Sequence, residues 1–195
     1  MVAAGVFLLA ILYLFVSSLQ RPAVVSYGPT EDFARGTDTG LVRDTVTLDA
    51  RDGSVWVYFD FERGATVDGR VDPDWDIALQ RFHLITNGGP GYPGEGGALA
   101  LPASFDEVSE APAEGYAVTE GPISDAPANP ALERWYAYSF FAHTLEPKPE
   151  TYVVRTRDGR FVKIGVISYY CPEAVPGCFT FEYAYQSEGG RHLAP

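Results

Sequence analysis

The sequence predicts an all-β domain, an antiparallel β-sandwich or rolled sheet, preceded by a single N-terminal transmembrane helix. Three observations predict it. An uncharged apolar run opens the chain, period-two alternation of aromatic and β-branched residues recurs from Thr45 onward, and glycine- and proline-rich turns separate the alternating runs.

The first element is VAAGVFLLAILYLFVSSL, from Val2 to Leu19, which carries no charge. At a helical rise of about 1.5 Å its residues span roughly 27 Å, close to the hydrocarbon thickness of a bilayer. Val2, Leu8, Leu9, Ile11, Leu12, Leu14, Phe15 and Val16 supply the membrane-anchoring bulk. Ala3, Ala4 and Gly5 are small enough to let another helix approach closely. A cleaved secretory leader is the competing reading, because Ser17 and Ser18 suit a cleavage site. The run lacks a basic segment before it and is longer than a typical leader core, so a retained anchor is expected.

Two features decide which side of the bilayer the domain occupies. Arg21 follows the run directly and by charge bias alone favours a cytoplasmic domain. Cys171 and Cys178 point outward. They are the two cysteines of the chain and flank CPEAVPGC, a spacing that suits a disulfide closing a hairpin end. Such a bridge contributes about 2 to 3 kcal/mol and persists in an oxidising compartment. Long domains also translocate largely regardless of flanking charge.

Residues 1–20 therefore read as anchor, 21–40 as tether, 41–190 as β domain and 191–195 as tail. The tether RPAVVSYGPTEDFARGTDT shows neither structural period. TVTLD and SVWVYFDFE, with RDG between them, predict a first hairpin with Val55, Val57, Phe59 and Phe61 on one face and Trp56, Tyr58 and Asp60 on the other. DWDIALQRFHLITN fits a helical turn near Ile77 to Leu79 and a strand from Arg81 to Thr86, and is read as mainly strand. NGGPGYPGEGG is a loop, and residues 101–129 show no sustained period. TYVVRT and FVKIGVISYY form a hairpin about Asp158 and Gly159, and FTFEYAYQ places Phe179, Phe181, Tyr183 and Tyr185 on one face.

A net charge of −12, from 26 acidic and 14 basic residues, excludes a nucleic-acid partner and an anionic lipid surface, both of which need basic patches. Nor does the sequence offer an enzyme's constellation. It has no phosphate-cradling loop with its lysine, no GxSxG elbow and no zinc-ligand spacing. Asp72, Asp74 and Asp76 alternate as in a calcium loop, but Pro73 interrupts them and the glycine and distal glutamate are missing. Solvated carboxylates at a strand entry are the simpler reading. Most of the 14% aromatic residues suit a sandwich core, while Trp56 and Trp135 are candidates for a partner-contact surface.

In order along the chain, WVYFDFERG, DPDWDIALQRFHLITNGG, HTLEPKPETYVVRTRDGRFVKIGVISYY and FTFEYAYQ resemble the blocks of the HmuY-like family of exported bacterial β-proteins, over Thr45 to Ser187. The resemblance implies a largely antiparallel all-β fold and, for its best-known members, capture of haem outside the cell. Those members resemble lipoproteins held by an N-terminal cysteine, whereas this chain has an apolar run in that place.

Haem capture in the family draws on paired axial donors from loops. Here Met1 is the sole methionine, leaving His83, His143 and His192. His83 sits on a strand pattern and His192 near the chain end, so His143 is the candidate haem-binding residue, weighed against a purely structural loop histidine. Two function classes follow. The first is a non-catalytic accessory subunit, single-pass in a bacterial inner membrane, whose periplasmic domain docks on other subunits of a larger complex of the electron-transport or photosynthetic kind, with no cofactor. The alternative is a haem or tetrapyrrole binder of the family's type.

Overall fold

The computed structural model describes residues 2–19, 24–31 and 40–194, with side chains at 5–16, 24–31 and 40–194. Among the described residues an N-terminal helix, α1 (Val2–Leu19), precedes eleven strands. These are β1 (Leu41–Asp49), β2 (Val57–Asp60), β3 (Ala65–Val67), β4 (Ile77–Gln80), β5 (His83–Thr86), β6 (Gly97–Leu101), β7 (Tyr136–Ser139), β8 (Thr144–Pro147), β9 (Thr151–Arg155), β10 (Phe161–Cys171) and β11 (Val175–Gln186).

Two antiparallel sheets face each other. One has the order β1-β11-β10-β9-β6 and the other β3-β2-β4-β5, and β7 and β8 form a separate two-stranded ribbon. Strand alternation explains why the sheets pack. Phe179, Phe181, Tyr183 and Tyr185 of β11 all point inward and are buried, as the period-two pattern predicts. They meet Phe59 and Phe61 from the opposite sheet edge-on, with Phe59 5.7 Å from Phe181 and Phe61 5.2 Å from Tyr183. Edge-to-face contacts of this kind each add about 0.5 to 1.5 kcal/mol beyond area burial.

The predicted first hairpin does not form. β1 pairs along its whole length with β11, from Leu41 opposite Gln186 to Asp49 opposite Cys178, while β2 pairs with β3 and β4. The alternation assigned the faces correctly but could not assign the partner. Both runs carry an inward apolar face, and the two faces are satisfied by sitting on opposed sheets. The mainly-strand reading of DWDIALQRFHLITN does hold, and strand extends to Ile77 and Leu79, where a helical turn was weighed.

The two sheets are also joined by a buried carboxylate. Asp76 Oδ2 accepts the Phe61 N–H at 2.8 Å and Asp76 Oδ1 accepts the Arg157 N–H at 2.9 Å, so one side chain ties the end of β2 to the β9–β10 turn. Asn87 completes the lock. Its Nδ2 donates to the carbonyls of Pro73 and Trp75 at 2.9 and 2.8 Å, and its backbone N–H donates to Asp76 O at 3.0 Å. Asp72 and Asp74, the remainder of the calcium-like alternation, are ion-paired to Arg63 and Arg157.

A second buried charge, Lys163, lies 4.4 Å over the Phe105 ring and donates to the carbonyls of Phe105 and Val108 at 2.7 and 2.8 Å, pinning the short helical turn at 105–107 to the outer face of the larger sheet. The segment 24–31, within the expected tether, lies along the domain. Tyr27 N–H donates to Tyr170 O at 2.9 Å, Thr30 N–H to Thr47 O at 2.9 Å, and the Ser168 hydroxyl to Val25 O. The rest of that stretch, 20–23 and 32–39, lies outside the described residues. Near the C-terminus Leu193 is buried, and its N–H donates to Ser109 O at 2.8 Å.

Burial pushes Asp76 up to about 7, with the neighbouring carboxylates of Asp60 and Asp158 adding to the shift, against the lowering effect of its two N–H donors. In the unfolded chain an aspartate titrates near 3.9, so the folded state binds the proton more tightly. The contribution of this group to stability is therefore full below about pH 4 and is lost as pH rises toward and through about 7. Urea unfolding between pH 4.5 and 8 is expected to show that decline, and Asp76→Asn to flatten it. Asp76→Ala removes the acceptor of the Phe61 and Arg157 N–H groups and is expected to cost about 2 to 6 kcal/mol at pH 4.5, and less as pH rises toward 8.

Candidate functional site

The β7–β8 ribbon leaves the sandwich and presents its tip to the outside. Its register runs from Tyr136 opposite Pro147 to Ser139 opposite Thr144, leaving residues 140–143 as the turn. The root is held firmly. Trp135, just before β7, is fully buried, its indole N–H donates to Phe82 O at 2.9 Å, and its ring meets Phe179 edge-on at 5.1 Å. Tyr136 packs against Trp135 and Phe82, and the Tyr170 hydroxyl accepts the Leu145 N–H at 2.8 Å.

The tip has the opposite character. Phe140 is 73% exposed, Phe141 86% and Tyr138 55%. His143 is also exposed and has φ of 54°, the left-handed conformation that reverses the chain into β8. The Tyr138 hydroxyl and His143 Nδ1 lie 2.6 Å apart, a hydrogen bond in which either can donate. The Phe140 ring stands 6.0 Å from both the Phe141 and His143 rings. Tyr138 thus fixes the imidazole through one ring nitrogen and leaves Nε2 as its remaining donor atom.

Beside the tip is a largely apolar cavity of about 340 Å³ bounded by Val24, Val25, Ala142, Leu145, Ile167 and Tyr170. Burial pushes the Tyr170 phenol above its ordinary range, although the Leu145 N–H bonded to it acts in the other direction. Glu146 also lines the cavity and adds to the same upward shift of Tyr170.

The other candidates are placed as follows. His83, at the start of β5, is exposed and lies 4.4 Å from the Phe82 ring, and His192 is exposed near the C-terminus with its carbonyl bonded to Gln186. Among the described residues, no group of three or more His, Cys, Asp or Glu side chains could hold a metal ion. Cys171 and Cys178 are joined in a disulfide across the β10–β11 turn. Trp135 is corrected from contact residue to core residue, because a side chain with no exposed surface offers nothing to a partner. Trp56 is half-buried and lines a shallow cleft with Tyr58 and Val67 on the outer face of the smaller sheet.

The side chains of α1 described here, residues 5–16, are all exposed, including Leu8, Leu9, Ile11, Leu12, Leu14, Phe15 and Val16. Among the described residues, no helix is long and apolar enough to cross a membrane. Val2, Ala3 and Ala4 lie outside the described side chains, and Gly5 has open space around it.

Comparison with known proteins places this architecture. The family profile described as HmuY protein matches residues 52–183, more than half of the chain. The chain belongs to the HmuY family. Among solved structures it is similar to the apo HmuY analog of Tannerella forsythia, with a TM-score of 0.64 and 20% identity over 77% of this chain and 99% of that one. A Bacteroides fragilis lipoprotein matches with a TM-score of 0.58 and 21% identity over 77% and 96% of the two chains. A HmuY-like heme-binding protein of Bacteroides vulgatus matches with a TM-score of 0.56 and 18% identity over 75% and 97%. At these identities the likeness establishes the HmuY fold. No curated protein matches the chain.

Sequence reasoning singled out His143 but passed over Tyr138, Phe140 and Phe141. The signal was present in SFFAH: adjacent phenylalanines cannot both face the core from a strand, so one at least must be displayed. Replacing both, as Phe140→Ser with Phe141→Ser, is expected to change stability by no more than about 0.5 kcal/mol each. Trp135→Ala, at the root, is expected to cost about 3 to 5 kcal/mol. Urea denaturation of the two variants distinguishes a displayed tip from a packed root.

Proposed function

We propose that this chain is an exported, non-catalytic HmuY-type binding protein that takes haem or a related tetrapyrrole at the β7–β8 hairpin, and that α1 holds the domain at the outer face of a bilayer. Family membership supports the binding class, and the names of the Bacteroides vulgatus and Bacteroides fragilis relatives support haem and export. The observation that carries the site is the Tyr138–His143 pair, 2.6 Å apart among exposed aromatic rings.

A haem iron needs an axial donor, and its ring needs apolar surface. The hairpin supplies one donor of an axial pair together with the apolar surface. His143 Nε2 would be the axial donor, and Tyr138, bonded to Nδ1, would hold the imidazole orientation and tautomer as outer partners of metal-bound histidines do. Phe140 and Phe141 would offer edges and faces to the macrocycle. Haem itself supplies the redox-active iron. The chain's own contribution is to bind and orient.

A second reading, an accessory subunit docked on a larger membrane complex, is favoured by one specific observation: the exposed apolar side chains of α1, together with the displayed phenylalanines, are surfaces a neighbouring subunit could cover. In either reading the domain is extracytoplasmic, consistent with the Cys171–Cys178 disulfide.

Titration with hemin tests the first reading. A shifted, intensified Soret band that saturates at one equivalent is expected for the unaltered chain and for His83→Ala, with at least a tenfold weaker affinity for His143→Ala. A chain that takes up no hemin overturns it. Stoichiometric co-purification with other subunits in mild detergent would then support the second reading.

A further inference from the structure

The displayed hairpin is far from α1 in sequence, yet its neighbours in space include residues just beyond the helix. Val24 and Val25 line the same cavity as Ala142 of the hairpin turn, and Val25 is itself 62% exposed. Leu19 ends α1, so five Cα steps separate the helix from Val24. Fully extended, that stretch reaches at most roughly 18 Å. The cavity beside the hairpin cannot lie farther than this from the helix end.

Charge sets the hairpin apart as well. The whole chain carries −12, yet the tip-proximal stretch YAYSFFAHTL, from Tyr136 to Leu145, contains no carboxylate, lysine or arginine, and the ribbon's Glu146 sits toward its root opposite Ala137. Phe140 and Phe141 are among the most exposed large apolar side chains in the domain. Aromatic rings on an uncharged loop are the composition that settles at the boundary between headgroups and acyl chains. An acidic patch would be repelled there or left indifferent.

We infer that the β7–β8 tip is a second membrane contact: Phe140 and Phe141 insert into the lipid interface of the bilayer that α1 spans, setting the orientation of the sandwich above it. The inference rests on the anchor reading of α1 given above. The occupant is the lipid boundary of that same bilayer, because the short linker brings this face of the domain near it. Binding is apolar, so it requires no anionic lipid.

The test uses the full chain, free of haem, reconstituted in phosphatidylcholine vesicles. A nitroxide is attached at Phe141→Cys or, as a control in the loop between β3 and β4, at Val71→Cys, where Val71 is 81% exposed. Collision with oxygen, which concentrates in lipid, is compared with collision with a water-soluble nickel chelate. The label at 141 is expected to favour oxygen over the chelate at least threefold more than the label at 71. Equal chelate access at both positions, in protein that stays with the vesicles through a carbonate wash, overturns the inference and leaves the anchor standing. A label at 141 shielded from both reagents also overturns it, pointing to a protein occupant. Release of the chain by carbonate overturns the anchor reading itself, and this placement with it.

Discussion

The sandwich depends on a lock between two polar side chains buried where its sheets meet. Asp76 receives N–H groups from both sheets, and Asn87 holds the strand entry before Asp76 by two carbonyls. Without these acceptors, backbone donors at the end of β2 and in the β9–β10 turn would be buried unpaired, at a cost of about 1 to 3 kcal/mol apiece. The loop after Asn87 is equally constrained. A Cβ added at Gly88 would stand 1.9 Å from Gly96 O, so the backbone there passes too close for any side chain. Arg63 stands 3.2 Å from Asp60 at the edge of the same region, an ion pair that offsets part of the burial of another carboxylate. The lock is thus polar, buried and assembled from loops, while the aromatic core supplies area behind it.

This division explains what the sequence disclosed. The inward rows of β11 and the β4–β5 hairpin were legible because period two is a local property of strands. The pairing of β1 with β11 was not, since Asp49 and Cys178 meet across more than a hundred residues and no local pattern records that. Residues 101–129 appeared structureless for a related reason. Their order comes from side-chain hydrogen bonds such as Thr119 Oγ1 with Thr86 N–H at 3.0 Å and Asn129 Nδ2 with Thr86 Oγ1 at 3.1 Å, which leave no period. At the site, His143 could be named by residue type, but its partner Tyr138 could not be named without the turn that brings the two together. Trp135 and Phe141 show the same difficulty from opposite sides: composition cannot tell a buried aromatic from a displayed one six residues away.

The hairpin owes its display to its root. Trp135, Tyr136 and Leu145 engage the sandwich through rings and backbone, which fixes the root while the turn carries Phe140 and Phe141 away from the core. Exposing two phenylalanines in water forgoes about 1.5 to 3 kcal/mol each of burial. A domain that buries Phe59, Phe61, Phe179 and Phe181 completely shows that it has room for phenylalanine in its core. Displayed rings on a rigid ribbon are therefore best understood as surface for something outside the chain.

Two occupants are proposed for neighbouring atoms of that ribbon, and their chemistry makes them compatible. Haem is a flat apolar ring with charged propionates, and such amphipathic molecules collect at the same lipid boundary that favours aromatic side chains. A donor histidine two residues beyond the inserted Phe141 would meet haem where its local concentration is highest. The acidic remainder of the domain adds a further constraint. With carboxylates outnumbering basic groups across the sandwich, close approach to a bilayer is tolerable through an uncharged face, and the stretch from Tyr136 to Leu145 is such a face. The proposed anchor, the cavity and the aromatic tip would then belong to one arrangement: the linker would keep the domain near the membrane and the uncharged hairpin tip would face the lipid.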